Sequence, residues 1–526
     1  MLLTAPFLLF PQENSVSVVW FTEYESDTNQ VLLYENGSES NPSRKITAKT
    51  MKMSRMRGGK KKESANDPTI IRHIWRHEAF VDKLPLYHGK SEEKIPYRIV
   101  SDQDTSEIYT LQAKAQPGTP LKILLTSDIQ DKNLCAANFQ KVYETVGNVD
   151  AIFVNGDIPF AADRAYDWFD GENAFFKVLQ GTASHFINEV PYCGGVLMQN
   201  APTYAAIGNH DIMGNYNTFS SLHAQFSNAA KPDKFNTVTW EEVFTVSQPE
   251  RKERRYYAET MGDVRVVVLE IVNAWRSSIV GTKGKYSEIP GASNDEFGFG
   301  QMIFEPITPG SKQLQFLEQE LQSEAFKTAK YKMVMFHWQH HSLGVNQIPA
   351  FTDPVASVVK DPITGLDMVI YDYPLDQDHV AKYIEPLLET AEVNIVFNAH
   401  SHLWNRFCTK SGMNILESSH VGGTDGACFD LQERMFIPSV FSKDDPRYSL
   451  AKYWNKDNYT LKGDPYGLQP IMPTLAELPD KSPYLSCETM TAFSILDTGM
   501  GCIDSYYFDT QKPDSEVVHF DRFSII

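Results

Sequence analysis

At 526 residues the chain is too long for one small core and calls for a large domain plus a smaller one, or two of similar size. With 67 acidic against 48 basic side chains the formal net charge is −19, which argues against nucleic acid or an anionic membrane surface as the main partner, because long-range repulsion opposes both. No apolar run approaches the ~18 to 20 residues of a membrane span, so a soluble protein without a membrane span is expected.

The opening MLLTAPFLLFP has no basic n-region and is broken by two prolines, so it reads as a first strand rather than a cleaved signal. A cytoplasmic location is therefore expected over a secreted one. Up to about residue 115 the pattern is all-β, with SVSVVWFTE, VLLYENG, the segment around IRHIWRHEAFVD, YRIVSD and EIYTLQAKA as short β-branched and aromatic runs, which predicts a β-sandwich. The basic stretch 45–67 reads as a mobile solvated loop, and AQPGTP (115–120) as a linker.

After residue 120 the rhythm changes. LKILLTSD is a strand, 132–147 a helix, DAIFVNGD (150–157) a strand, 163–189 one or two helices, and APTYAAIGNHD a strand, a βαβαβ succession that predicts parallel pairing with functional loops at the carboxyl ends of the strands. Residues 256–271 read as a hairpin around Met-Gly-Asp, 311–326 as an amphipathic helix on Leu314, Leu317 and Leu321, YKMVMFHW as a strand, and 378–390 as a helix. NIVFNAHSH and GMNILESSH are further strands, 430–480 irregular surface loops, and 491–510 closing strands. The six cysteines read as free core thiols, a Cys487–Cys502 disulfide being unsupported. The sequons at Asn36 and Asn458 carry no information on compartment.

Five segments share one form, an apolar β-run followed by metal-ligand residue types: TSD (126–128), NGD (155–157), GNHD (208–211), MFHW (335–338) and NAHSH (398–402). A dinuclear hydrolytic site needs a carboxylate bridging two cations ~3.5 to 4 Å apart, several neutral N or O ligands, and open positions for water and substrate. Asp157 is the natural bridge, Asp128 would serve the first ion and Asn209 the second, and His337, His400 and His402 would complete the set. His400 and His402 alternate along an extended chain, so both can face metals only if the chain turns there. Singly, a Gly-Asp is a turn and a His a satisfied core residue; five such bursts in one domain argue for a site.

The ordered set D…GD…GNHD…H…HxH resembles the calcineurin-like metallophosphoesterases. More narrowly, VFNAHSHLWNR, GDIPFAAD and MFHW resemble segments of purple acid phosphatases. The resemblance implies an α/β (α+β) fold: a fibronectin type III-like β-sandwich (1–118) followed by a catalytic domain (119–526) of two central sheets flanked by helices. It implies Asp128, Asp157 and His402 as ligands of the first metal, and Asp157, Asn209, His337 and His400 of the second. His210, with Asp211 to orient or charge it, would bind phosphate or protonate the leaving oxygen, an alternative to merely supporting the ligands. His340 and His341 would reach the substrate from a loop, or face solvent.

Two departures matter. Where such enzymes carry a His or a Tyr for the first metal, this chain has Gln130 and Phe160; Phe160 has no donor atom, and Gln130 offers only an amide oxygen. A looser first ion is expected, with two divalent metals drawn from Fe, Mn or Zn. The expected activity is hydrolysis of small phosphate monoesters, with water activated at the dinuclear centre attacking phosphorus in line. Phosphodiester hydrolysis is the runner-up, followed by a weakened member binding a phosphate ligand or a protein.

Overall fold

A computed structural model describes residues 1–35, 41–59, 70–213, 236–245, 255–272, 302, 304–344, 355–360, 365, 367–372, 378–424, 427, 464 and 466–525. Asn36, Asn458, Cys428 and most of the expected loop region 430–480 lie outside them.

The N-terminal strands form two antiparallel sheets. One contains Phe7–Gln12, Ser15–Thr22, Trp75–Val81 and Lys49–Lys52; the other contains Arg44–Thr47, Asn29–Leu33, Ile95–Ser101 and Asp104–Thr105, with Tyr109–Leu111 also pairing Ile95–Ser101. Leu8, Val16, Val18 and Trp20 of the first meet Val31, Leu33, Tyr97 and Ile99 of the second in one core, as the period-2 pattern requires. Strand Ser15–Thr22 is buried along its whole length. Its other face, with Phe7, packs on the part of the chain that follows: Phe7 and Phe21 lie 5.2 and 5.3 Å from the Phe176 ring. That second contact explains why the segment is nearly continuous in apolar residues.

The basic loop expected over 45–67 is corrected. Arg44–Thr47 and Lys49–Lys52 are strands, the second exposed at a sheet edge, where lysines are tolerated and discourage edge pairing. Met53 and Met56 behind it are buried; residues 60–69 lie outside the described part.

Two central sheets follow. The six-stranded sheet runs Thr203–Ala205, Ala151–Val154, Lys122–Thr126, Met490–Asp497, Cys502–Asp509 and Val518–Ser524, its first three strands parallel. The seven-stranded sheet runs Tyr257–Met261, Val264–Val268, Tyr331–Met335, Ile395–Asn398, Asn414–Ser418, Trp404–Cys408 and Tyr484–Leu485, with parallel pairing from Val264–Val268 to Asn414–Ser418. Alternate residues explain the layering. Met333, Met335, Ile395 and Phe397 point into a core shared with Ile123, Leu125 and Phe153 of the other sheet, whereas Val334, Phe336 and Val396 face Leu314, Leu317, Ile384 and Leu388 of the covering helices. A buried fork from Arg406 to Asp521, at 2.6 and 3.1 Å, links the sheets away from their parallel strands.

Some helices are shorter than expected. Ser323 accepts from the Phe326 amide and starts a second helix, Glu324–Thr328, so the single helix expected over 311–326 is two. Within 163–189 two short helices form, Tyr166–Asp170 and Phe175–Gln180, in line with the one or two expected, and His185–Ile187 opens a small hairpin. Cys487 and Cys502 are free, so no disulfide joins them; of the five free thiols described, only Cys135 and Cys502 are buried, against the expectation of core thiols throughout. Among the described residues no helix is long and apolar enough to cross a membrane.

Candidate metal centre

The parallel strands of both sheets end at one edge, and each delivers its burst there. Lys122–Thr126 leads to Asp128, Ala151–Val154 to Asp157, Thr203–Ala205 to Asn209, Tyr331–Met335 to His337, and Ile395–Asn398 to His400 and His402. Asn155 clamps the two sheets at this edge: its amide nitrogen donates to the Phe336 and Phe397 carbonyls at 3.0 and 2.8 Å, and its own carbonyl accepts His337 Nδ1 at 2.7 Å.

Backbone strain concentrates here. Asp128, Gln130, Asp157, His400 and His402 all have φ between 46° and 81°, the left-handed region that costs non-glycine residues about 1–3 kcal/mol each. The turn at 400–402 is what allows both imidazoles to face inward. Gly208 leaves room for Asp157, since a Cβ there would strike its carboxylate and amide.

Two groups of ligand atoms result, Asp157 with His337 and His400, and Asp128 with Asp157 and His402, each within 4.8 Å of one another and both containing Asp157. His337 Nε2 lies 3.4 Å from Asp157 Oδ1 and 3.3 Å from His400 Nδ1, and His402 Nε2 lies 3.2 Å from Asp128 Oδ1. Because His337 Nδ1 donates to Asn155, the neutral ring presents its lone pair at Nε2, and a facing imidazole nitrogen at that range suits a shared cation in place of a proton. The electrostatics agree. Against the penalty of burial, Asp157 and Asp128 pull the His337 imidazole up to about 9, and His337 and His402 hold Asp128 down at about 2, so the pocket demands positive charge. These donors fit a pair of divalent ions.

The remaining predicted residues fall around this pair. Asn209 is buried in the turn Asn209–Asp211, whose His210 amide donates to Asp157 Oδ1 at 2.7 Å. Gln130 turns its amide nitrogen to Asp157 Oδ2 at 2.7 Å, so it orients the shared carboxylate. His210 Nδ1 donates to the Phe160 carbonyl at 2.6 Å and its ring packs 5.0 Å from that of Phe160, which leaves Nε2 3.9 Å from Asp157 Oδ2. Asp211 does not orient His210 through a side-chain bond. Its carboxylate accepts the amides of Asp157, Ile158 and Gly208 at 2.8, 3.2 and 2.8 Å, stapling the two loops together. His340 and His341 do not face solvent as expected; both are 2% exposed and turn toward Glu385.

Sequence reasoning missed the supports. The Trp338 ring stacks 3.9 Å from that of His400, and His420 Nδ1 bonds the His402 carbonyl at 3.0 Å. Glu417 is buried and accepts the Ser401 amide at 2.9 Å, Ser342 Oγ at 2.7 Å, Ser419 Oγ at 3.0 Å and Asn405 Nδ2 at 3.1 Å, which fixes the turn between His400 and His402. Only the repeated Ser and Asn around HSH and ESSH hinted at this network. Glu417→Ala should strand these buried donors and cost about 2–4 kcal/mol in a urea unfolding experiment.

Residues 121–403 match the family described as calcineurin-like phosphoesterase. The chain belongs to that family. It is accordingly a hydrolytic enzyme of phosphatase type, from a family that normally binds a dinuclear metal centre. Among solved structures, the fold is similar to purple acid phosphatase PPD1 from yellow lupin (Lupinus luteus) seeds, at 13% identity over 99% of this chain and 74% of that one, with a TM-score of 0.57. It is also similar to PhoD, at 11% identity over 98% of this chain and 91% of that one, with a TM-score of 0.50. No curated protein matches this phosphoesterase in sequence.

Proposed function

We propose that this phosphoesterase hydrolyses small phosphate monoesters at a dinuclear centre shared through Asp157. The observation that carries the reading is that the two candidate ligand groups have Asp157 in common. Asp128, Asp157 and His402 would hold one ion, and Asp157, Asn209, His337 and His400 the other, each Fe, Mn or Zn. When bound, the cations supply Lewis-acid charge stabilisation and an activated water.

The chain's own residues do the rest. Gln130 and the His210 amide fix the Asp157 carboxylate through one oxygen each. His210, its Nδ1 held by the Phe160 carbonyl, presents Nε2 toward the substrate phosphate and the leaving oxygen. Burial lowers its pKa, and because Nδ1 donates to Phe160 only the protonated ring carries a hydrogen on Nε2, so it binds phosphate and donates a proton once substrate charge beside it favours the imidazolium. The strained turns hold the ligands where relaxation would move them.

We further assign residues 1–118 to a fibronectin type III-like sandwich and 119–526 to the catalytic domain, a division supported by the separate core around Trp20. The free thiols suit a reducing, cytoplasmic compartment, which fractionation of the producing cell tests. Assay of an aryl phosphate against the matching bis-aryl phosphate, with Mn²⁺, Zn²⁺ and Fe²⁺ added in turn, tests the substrate class. The monoester should turn over faster; a wide preference for the diester contradicts the proposal.

A further inference from the structure

Three residues beyond His337 the chain buries a second pair of imidazoles. His340 Nε2 lies 3.4 Å from Glu385 Oε2, and His341 Nε2 lies 3.4 Å from Glu385 Oε1. One ligand atom from each of the three residues lies within 4.8 Å of the others. These separations exceed the ~2.7–3.2 Å of an ordinary N–H···O bond. They match a tetrahedral edge, because ligands ~2.0–2.1 Å from a zinc-sized ion stand roughly 3.3 Å apart. Similar spacings of 3.2 to 3.4 Å recur among the ligands of the candidate centre.

The surroundings also suit a cation. Both oxygens of Asp464 lie 3.0 Å from His341 Nδ1, so that nitrogen donates and Nε2 is turned toward Glu385. A carboxylate behind an imidazole is the arrangement that fixes the tautomer of a metal-ligating His and raises its basicity. Asp464 in turn accepts the Tyr466 and Leu468 amides at 3.1 and 3.0 Å, which anchors it. The rings of Phe336, Phe407 and Tyr466 wall the group. Glu385 and Asp464 carry two negative charges in this pocket; despite burial they pull His341 up to about 9. A divalent ion would displace that proton and balance the same charge.

We propose that His340, His341 and Glu385 form a mononuclear, zinc-type cation site, separate from the pair at Asp157, with Asp464 holding His341 in register. It joins the loop after strand Tyr331–Met335 to helix Glu385–Thr390 and to Asp464. The site shares no residue with the catalytic ligands, so it does not depend on their assignment.

The test is to strip the purified full-length protein with chelator, dialyse it to equilibrium against buffered Zn²⁺ and count bound zinc by elemental analysis as the excess over the dialysis buffer. Wild type should retain three equivalents, E385Q two, H340Q two and D157N one. H340Q is the stricter variant, because it removes a ligand while leaving the Glu385–His341–Asp464 ion pairs intact; circular dichroism checks that each variant is folded. Wild type and folded H340Q retaining the same number of equivalents would overturn the proposal and reduce the cluster to an ion-pair knot. If instead H340Q loses one equivalent while D157N matches wild type, the site stands and the assignment of Asp157 fails.

Discussion

Asp157→Asn should remove most of the activity and most of the catalytic metal together. The shared carboxylate would lose the charge that balances both ions, and whichever way the new amide turns, it meets a donor already pointing at that position, the Gln130 amide or the His210 backbone N–H. A fall in kcat/KM on the order of 10³-fold or more is expected, several kcal/mol of transition-state stabilisation. Far-ultraviolet circular dichroism should stay native. Steady-state kinetics beside elemental analysis check both halves of the claim, and activity retained with full metal content would show that Asp157 is not the bridge.

His210→Ala should separate chemistry from metal binding. His210 belongs to neither ligand group, so the pair of ions should remain while kcat falls about 10²–10⁴-fold, the range for a lost general acid. A proton donor matters most for poor leaving groups. The loss should therefore be larger for an alkyl phosphate than for a nitrophenyl phosphate, whose leaving oxygen needs little protonation. Were His210 only a support, turnover would fall less than about tenfold, equally for both substrates, and metal content would drop with it.

The five strand-end bursts were legible because each is local: an apolar run, then polar residues that an extended chain can only place at its end. The same local logic found the turn required at His400 and His402, which positive φ values now explain. What was hidden depends on contacts distant in sequence. Asn155 sits inside the most conspicuous motif, yet its partners lie 181 to 242 residues away. Glu417 reads as a polar residue on a strand, and only the Ser and Asn around HSH and ESSH hint at the donors converging on it from 342, 401, 405 and 419. His340 and His341 misled for the same reason, since Glu385 and Asp464, which bury them, belong to segments 44 and 123 residues on. The basic stretch near residue 50 was read by composition alone, whereas an exposed edge strand tolerates lysines as well as a loop does.

Gln130 and Phe160 also take on roles that their positions in the motif did not suggest. Neither is the His or Tyr seen in similar enzymes, but Gln130 fixes one oxygen of Asp157, and Phe160 uses its backbone carbonyl to fix His210. On the proposed assignment, the Asp128 side of the centre would rely on orientation where a His or Tyr would coordinate, and an exchangeable ion is expected there.

The most direct test of a shared Asp157 is a crystal structure of the protein loaded with Mn²⁺, with anomalous scattering recorded to locate the metal. Two peaks ~3.5 to 4 Å apart should flank Asp157, one beside Asp128 and His402 and the other beside Asn209, His337 and His400. A single peak at that edge, or two that do not have Asp157 between them, would contradict the account.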